Sequence, residues 1–388
     1  MKNKINNPMF DIGLFFNEKV WKNRRFCSII YKDYLKEVTF LKRLVKIGNF
    51  ETGINNNISD VKGVLVGHHT IIEGVNKTGI TAILPHSGNM FKEKVVAGSY
   101  VFNGFGKSIG LVQLDELGTI ETPIILTNAL SAGKVADGLI SYMLKDNKEI
   151  GVTTSTVNPL VLECNDGSIN YTQNRVLGEL EVLSAINDAK ADFLEGTVGA
   201  GTGMKCNGFK GGIGSSSRII KLKDKEYSLG VLVNSNYGAS NGSELIFNGR
   251  KMGDLIKDYN LEHEEDKGSI IIVVATDAPL DSRQLKRLAK RAELGVARTG
   301  SYGGNGSGDI IVAFSTSNKV SHYNDYMEEV ITRFSDSYLN MFFKAVVDAT
   351  EEAILNSMLY ATPLTSFNGK HFKSLMEYKV LFEDLLEN

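Results

Sequence analysis

The most strand-like stretch of the chain is Ser269-Ile270-Ile271-Ile272-Val273-Val274-Ala275-Thr276. Its β-branched residues run on without alternating with polar ones, which predicts a strand buried on both faces. A polar loop, His263 to Gly268, leads straight into it. Other short apolar runs bounded by Gly, Asn or Pro predict strands at Val64–Val66, Gly79–Leu84, Ile124–Thr127, Ile219–Ile220, Tyr227–Val233 and Asp309–Phe314. Apolar residues at helical spacing predict helices over 132–144, 176–194 and 281–293, the last with Asp281 or Ser282 as N-cap. A longer amphipathic pattern covers 325–359 through Val330, Phe334, Leu339, Phe342, Val346, Ala349, Ala353 and Leu355. Strands and helices mix without a regular βαβ alternation, which favours a layered α+β body over a Rossmann sheet.

Composition narrows this picture. The chain has 388 residues, 42% hydrophobic and 23% charged, enough to bury a large core. A net charge of −2 gives no global field that would draw nucleic acid or an anionic membrane. The first 50 residues differ, with eleven Lys/Arg against four Asp/Glu. They are expected to form a basic surface extension, or a membrane- or partner-binding arm. No apolar run reaches the roughly 18–20 residues of a membrane span, so no integral membrane segment and a cytoplasmic location are expected. Cys27, Cys164 and Cys206 cannot form a complete disulfide set, and no CxxC pair occurs. The histidines lack ligand spacing, so no metal is expected. Many of the 39 glycines cluster at 196–214 and 295–308, where tight turns or close backbone approach are required. The run Gly199-Ala200-Gly201-Thr202-Gly203 reads as a packing turn. A phosphate loop would need a following Lys-Ser/Thr.

The junction Gly268-Ser269 carries the chemistry of interest. Taken alone it is a loop terminator followed by a strand-edge serine. A second reading is self-cleavage: glycine lets a hydroxyl approach its carbonyl, and Ser269 is adjacent. Hydrolysis of the resulting ester would free an N-terminal serine. Its α-amine has a pKa of about 7.7–8, so it would serve as base to its own hydroxyl without a histidine.

The run from Gly268 to Leu280 resembles the processing-site strand of the DmpA-like aminopeptidase family, peptidase family S58, which includes L-aminopeptidase/D-esterases and β-peptidyl aminopeptidases. Other segments agree in order: Ile58 to His68, Gly199 to Met204 with Phe209 to Gly214, Ala297 to Ile310, and Ala345 to Asn356. The resemblance covers about residues 45–360. It implies a four-layer αββα sandwich of the N-terminal-nucleophile type, shared with ornithine acetyltransferase. It divides the chain into the extension 1–50, an α chain 51–268 and a β chain 269–388. Ser269 would be the nucleophile, with Gly268-Ser269 the cleavage site. Ser307 and Asp309 match the pair that contacts the new N-terminus. Asn236 matches the oxyanion-stabilising asparagine, with Asn234 a nearby rival. Glu163 matches the acid that binds the substrate's free amine, and Asn165 stands where some relatives place a pocket tyrosine. The implied activity is hydrolysis of an amide or ester beside a free amino terminus, on small peptides or amino-acid derivatives, through an acyl-Ser269 intermediate and without a cofactor. The implied assembly is a homo-oligomer of processed heterodimers. The alternatives are an acyltransferase of the ornithine-acetyltransferase type, which uses threonine as nucleophile, an amidase for oligoamides, and a binding protein without activity.

Overall fold

The computed structural model describes residues 44–239, 242–253, 255–256, 268–324 and 326–386. Of the basic extension, residues 1–43 lie outside them, as do Cys27 and most of the loop before Gly268. The packed body begins earlier than residue 51. Leu44, Val45 and Ile47 are buried in the main core, because their apolar side chains continue it.

Two sheets face each other. The first is built from β1 (Leu65–Glu73), β2 (Asn76–Leu84), β4 (Ser108–Ile109), β6 (Ile124–Asn128) and β7 (Leu160–Cys164), in the order β1-β2-β6-β7-β4. The second contains β3 (Glu93–Gly104), β5 (Thr119–Ile120), β8 (Gly212–Leu222), β9 (Lys225–Asn236), β10 (Ser269–Thr276) and β11 (Gly308–Ser321), in the order β8-β9-β10-β11-β3-β5. On β10 the apolar run divides by parity, as a pleated strand must. Ile270, Ile272 and Val274 pack toward helices, while Ile271, Val273 and Ala275 pack toward the other sheet. All eight residues of β10 are buried, as a central strand between two layers requires.

Helices complete the outer layers. α1 (Ala132–Asp146) and α2 (Glu179–Asn187) place Val135, Leu139, Val182 and Ala185 against Ile80, Ile125 and Val161 of the first sheet. α3 (Ser282–Arg298) and α4 (Leu339–Leu359) cover the second sheet with Leu285, Leu288, Phe342 and Val346. The result is an αββα sandwich. Asp281 caps α3, its carboxylate accepting from Gln284 N–H at 2.7 Å and the Gln284 side chain accepting back from Asp281 N–H. Two helices are shorter than their patterns predicted. The 176–194 pattern yields only α2, which starts after Gly178 and stops before Asp188. The 325–359 pattern becomes α-helical only at Leu339, after a 3-10 turn at Asp336–Tyr338, and Val330 and Ile331 stand exposed in irregular chain.

Candidate active site

Ser269 opens β10 and is 6% exposed. Its Cα partner is Asn236 on the antiparallel β9 and Gly308 on the parallel β11. Residues 33 and 39 positions away in sequence therefore flank it, and only the pairing of three strands brings them there.

Gly268 is fitted against the same neighbours. A Cβ on it would lie 2.1 Å from the Asn236 carbonyl oxygen and 2.5 Å from Tyr237 Cα, so a larger residue would push the backbone apart. The Gly268 carbonyl, next to the Ser269 hydroxyl in sequence, accepts a hydrogen bond from Gly308 N–H at 3.1 Å. That donor polarises the carbonyl a nucleophile would attack. Gly308 is equally constrained. A Cβ there would stand 2.7 Å from the Phe105 carbonyl oxygen and 3.1 Å from Ser269 Oγ. Ser307 and Asp309 flank Gly308, and the Ser307 hydroxyl donates to Asp309 Oδ1. Ser307 and Asp309 are buried. The Ser-Gly-Asp stretch, which alone reads as a turn, is the entry of β11.

Asn236 is held at both ends of its amide. Oδ1 accepts from Lys205 N–H at 3.1 Å, and Nδ2 donates to the Asn165 carbonyl at 3.0 Å. A donor at one end and an acceptor at the other fix the orientation of the amide and leave a second Nδ2 hydrogen for a further acceptor. Asn234, two residues back on β9, is fully buried and pairs with Ile271, deeper in β10. Among the described residues, neither its Oδ1 nor its Nδ2 has a hydrogen-bond partner.

Glu163 reaches the site from the end of β7 in the facing sheet. Its Oε1 and Gly308 Cα lie 3.5 and 3.9 Å from one point, the place a Cβ on Gly106 would occupy. Oε1 accepts from Lys107 N–H at 2.7 Å, with the exposed Lys107 ammonium 3.9 Å away. Burial raises the Glu163 carboxyl above the ordinary carboxylate range, and the Lys107 N–H and charge oppose that rise. Asn165 enters the site through its backbone carbonyl. Its exposed side chain closes a turn on Gly167 N–H at 3.0 Å. The adjacent thiol of Cys164 is pushed well above its ordinary value, first by burial and then by the Glu163 and Asp309 carboxylates. It therefore offers no competing nucleophile. His68, pulled down to about 4 by burial, spends both ring nitrogens on Thr81 and the Leu194 carbonyl. Sequence reasoning passed over Lys107, Lys205 and the Gly308 N–H, because backbone groups and long-range pairing leave no local pattern.

Among the described residues, no cluster of His, Cys, Asp and Glu could hold a metal, and no helix is long and apolar enough to cross a membrane.

A serine at the head of a central strand, in an αββα sandwich, with an amide and a backbone N–H beside it, defines an N-terminal-nucleophile hydrolase frame. The comparisons agree with that class. The profile of peptidase family S58 matches residues 56–372. The β-peptidyl aminopeptidase BapA of Sphingosinicella microcystinivorans is 39% identical over 342 residues, covering 82% of this chain and 84% of its own. The solved PH0078 protein of Pyrococcus horikoshii OT3 superposes with a TM-score of 0.82 at 50% identity, covering 87% of this chain and 96% of its own. The L-aminopeptidase D-Ala-esterase/amidase of Ochrobactrum anthropi, a prototype of the serine aminopeptidases with a variant Ntn hydrolase fold, gives a TM-score of 0.81 at 32% identity. That match covers 88% of this chain and 96% of the other. The chain belongs to peptidase family S58. It is a serine aminopeptidase/amidase of the Ntn type, a hydrolase of peptide bonds.

Proposed function

We propose that this chain cuts itself between Gly268 and Ser269 and then uses the freed Ser269 as the nucleophile of an aminopeptidase acting on substrates with an unblocked amine. The observation that carries the reading is the setting of the Gly268 carbonyl: it accepts from Gly308 N–H, and its residue is pressed against Asn236 and Tyr237. In self-cleavage, Ser269 Oγ adds to the Gly268 carbonyl carbon and the C–N bond breaks. The hydroxyl proton ends on the released amine. Water then hydrolyses the ester, leaving a Gly268 carboxylate and a free serine. In turnover, the Ser269 α-amine takes the Oγ proton as Oγ attacks the substrate carbonyl and passes it to the leaving amine as the C–N bond breaks; water then hydrolyses the acyl-Ser269 ester, releasing the acid and restoring the hydroxyl. The second Nδ2 hydrogen of Asn236 serves the developing oxyanion, and the Ser307–Asp309 pair holds the α-amine. Glu163 receives the substrate's ammonium by a charge-assisted hydrogen bond, with Asn165 at the rim. The kinship with a β-peptidyl aminopeptidase makes β-aminoacyl amides the first substrates to try, beside α-aminoacyl ones. The processed enzyme is read as a cytoplasmic homo-oligomer.

The test is the protein itself. Purified without added protease, it should yield a second N-terminus reading Ser-Ile-Ile-Ile-Val. Ser269→Ala deletes one oxygen at a strand start and should give an intact, folded chain with turnover lowered on the order of 10⁴-fold or more. An active wild-type preparation that stays a single chain would overturn the mechanism, because Ser269 would have no free amine.

A further inference from the structure

Lys210 is fully buried, yet it carries an ammonium into the glycine-rich loop beside the site. Its Nζ donates to three backbone carbonyls: Gly201 at 2.9 Å, Met204 at 2.8 Å and Gly211 at 2.7 Å. Three acceptors use all three N–H groups of a charged lysine. Burial pulls this amine down to about 7. The cradle works against that pull, since a neutral amine would face one carbonyl without a proton. A buried charge is costly unless fully bonded, so so complete a cradle asks for a reason.

The Met204 carbonyl supplies one. It belongs to the same peptide group as Lys205 N–H, the donor that holds Asn236 Oδ1 at 3.1 Å. In a planar trans peptide the C=O and the N–H point in opposite directions. Anchoring the carbonyl on Lys210, with Gly211 N–H as a second donor at 3.0 Å, therefore aims the N–H at Asn236. An ammonium on the carbonyl also polarises the peptide and strengthens its N–H as a donor. We propose that Lys210 is a positioning residue for Asn236, acting through the Met204–Lys205 peptide plane.

This rests on Asn236 acting in the transition state, and the test separates the two ideas. kcat and KM are measured per processed site, with an unblocked aminoacyl p-nitroanilide, for Lys210→Met, Asn236→Ala and the double variant. Lys210→Met should lower kcat about tenfold or more and leave KM within about twofold, since only one orienting contact of an oxyanion donor is lost. In the Asn236→Ala background the same change should cost less than about twofold, because the two residues act as one unit. A full additional loss there would make Lys210 merely structural and overturn the proposal. An unchanged kcat in Asn236→Ala would instead remove Asn236 from its role. Should Lys210→Met fail to fold or to cleave, Lys205→Pro decides. It keeps Lys210 and removes the connecting N–H together with the Lys205 side chain, and an unchanged kcat in that variant overturns the link.

Discussion

The two strands beside Ser269 contribute different kinds of group. β9 presents a side chain, the Asn236 amide, whose orientation depends on contacts from outside the strand, Lys205 and Asn165. β11 presents its own backbone, the Gly308 N–H, which the parallel ladder sets in place. A side chain can be retuned by its neighbours. A ladder N–H is lost only when the strand itself is displaced. The first flank can therefore be altered through its neighbours, the second only by moving the strand.

Of changes to the two flanks, removing the amide should have the largest effect. Asn236→Ala is expected to lower kcat by roughly 10²–10³ with KM much less affected, in steady-state kinetics on the processed enzyme. A loss confined to KM would make the amide a substrate-positioning group and erase the contrast between the flanks. Next comes Gly308→Ala. Its methyl meets a backbone oxygen at 2.7 Å, which cannot swing aside as a side-chain tip would. The strand must move, and the appearance of the new N-terminus should slow by about 10²-fold, the scale of a 1 Å misplacement. Unchanged cleavage would show that the ladder N–H is dispensable.

Glu163→Gln should raise KM for free-amine substrates roughly 10- to 100-fold and leave kcat nearly intact. The pH dependence has a definite sign. Only the carboxylate pairs with an ammonium, and burial raises this carboxyl. KM in the wild type should therefore climb as pH falls through a value above the ordinary carboxylate range, and that climb should vanish in Glu163→Gln. Asn234→Leu should have the smallest effect. It replaces an amide that has no partner among the described residues by an apolar group, so kcat should stay within about twofold and thermal unfolding should show stability unchanged or raised by about 1 kcal/mol. A kcat loss larger than that of Asn236→Ala would move the oxyanion role to Asn234.

Much of the scaffold was legible because its signals are local. β10 shows as an unbroken apolar run, and α3 announces itself with Asp281 and Gln284. β3 was passed over because Lys94, Gly98, Ser99 and Asn103 interrupt its apolar residues, although it is the strand that borders β11. Val330 sits at helical spacing from Phe334 but is fully exposed, and spacing cannot reveal exposure. Within the site, Ser269, Asn236 and Glu163 were named from motif resemblance. Their meeting depends on a register between β9, β10 and β11 and on a facing strand from the other sheet, none of which is written in any short window. Lys210 looks in sequence like an ordinary surface lysine between Phe209 and Gly211. Its burial follows only from the carbonyls that converge on it.

The order of the second sheet has a consequence for the life of the molecule. After the proposed cut, β10 and β11 belong to one piece, while β8 and β9 on one side and β3 and β5 on the other belong to the other piece. The short piece is threaded between strands of the long one, and two ladders must open before they part. Folding of the uncut chain is unimolecular, but re-formation from separated pieces is a bimolecular search whose midpoint shifts with protein concentration. The proposed cut would thus make the tether a folding device: the uncut chain assembles as one molecule, whereas pieces once dispersed must find each other without it.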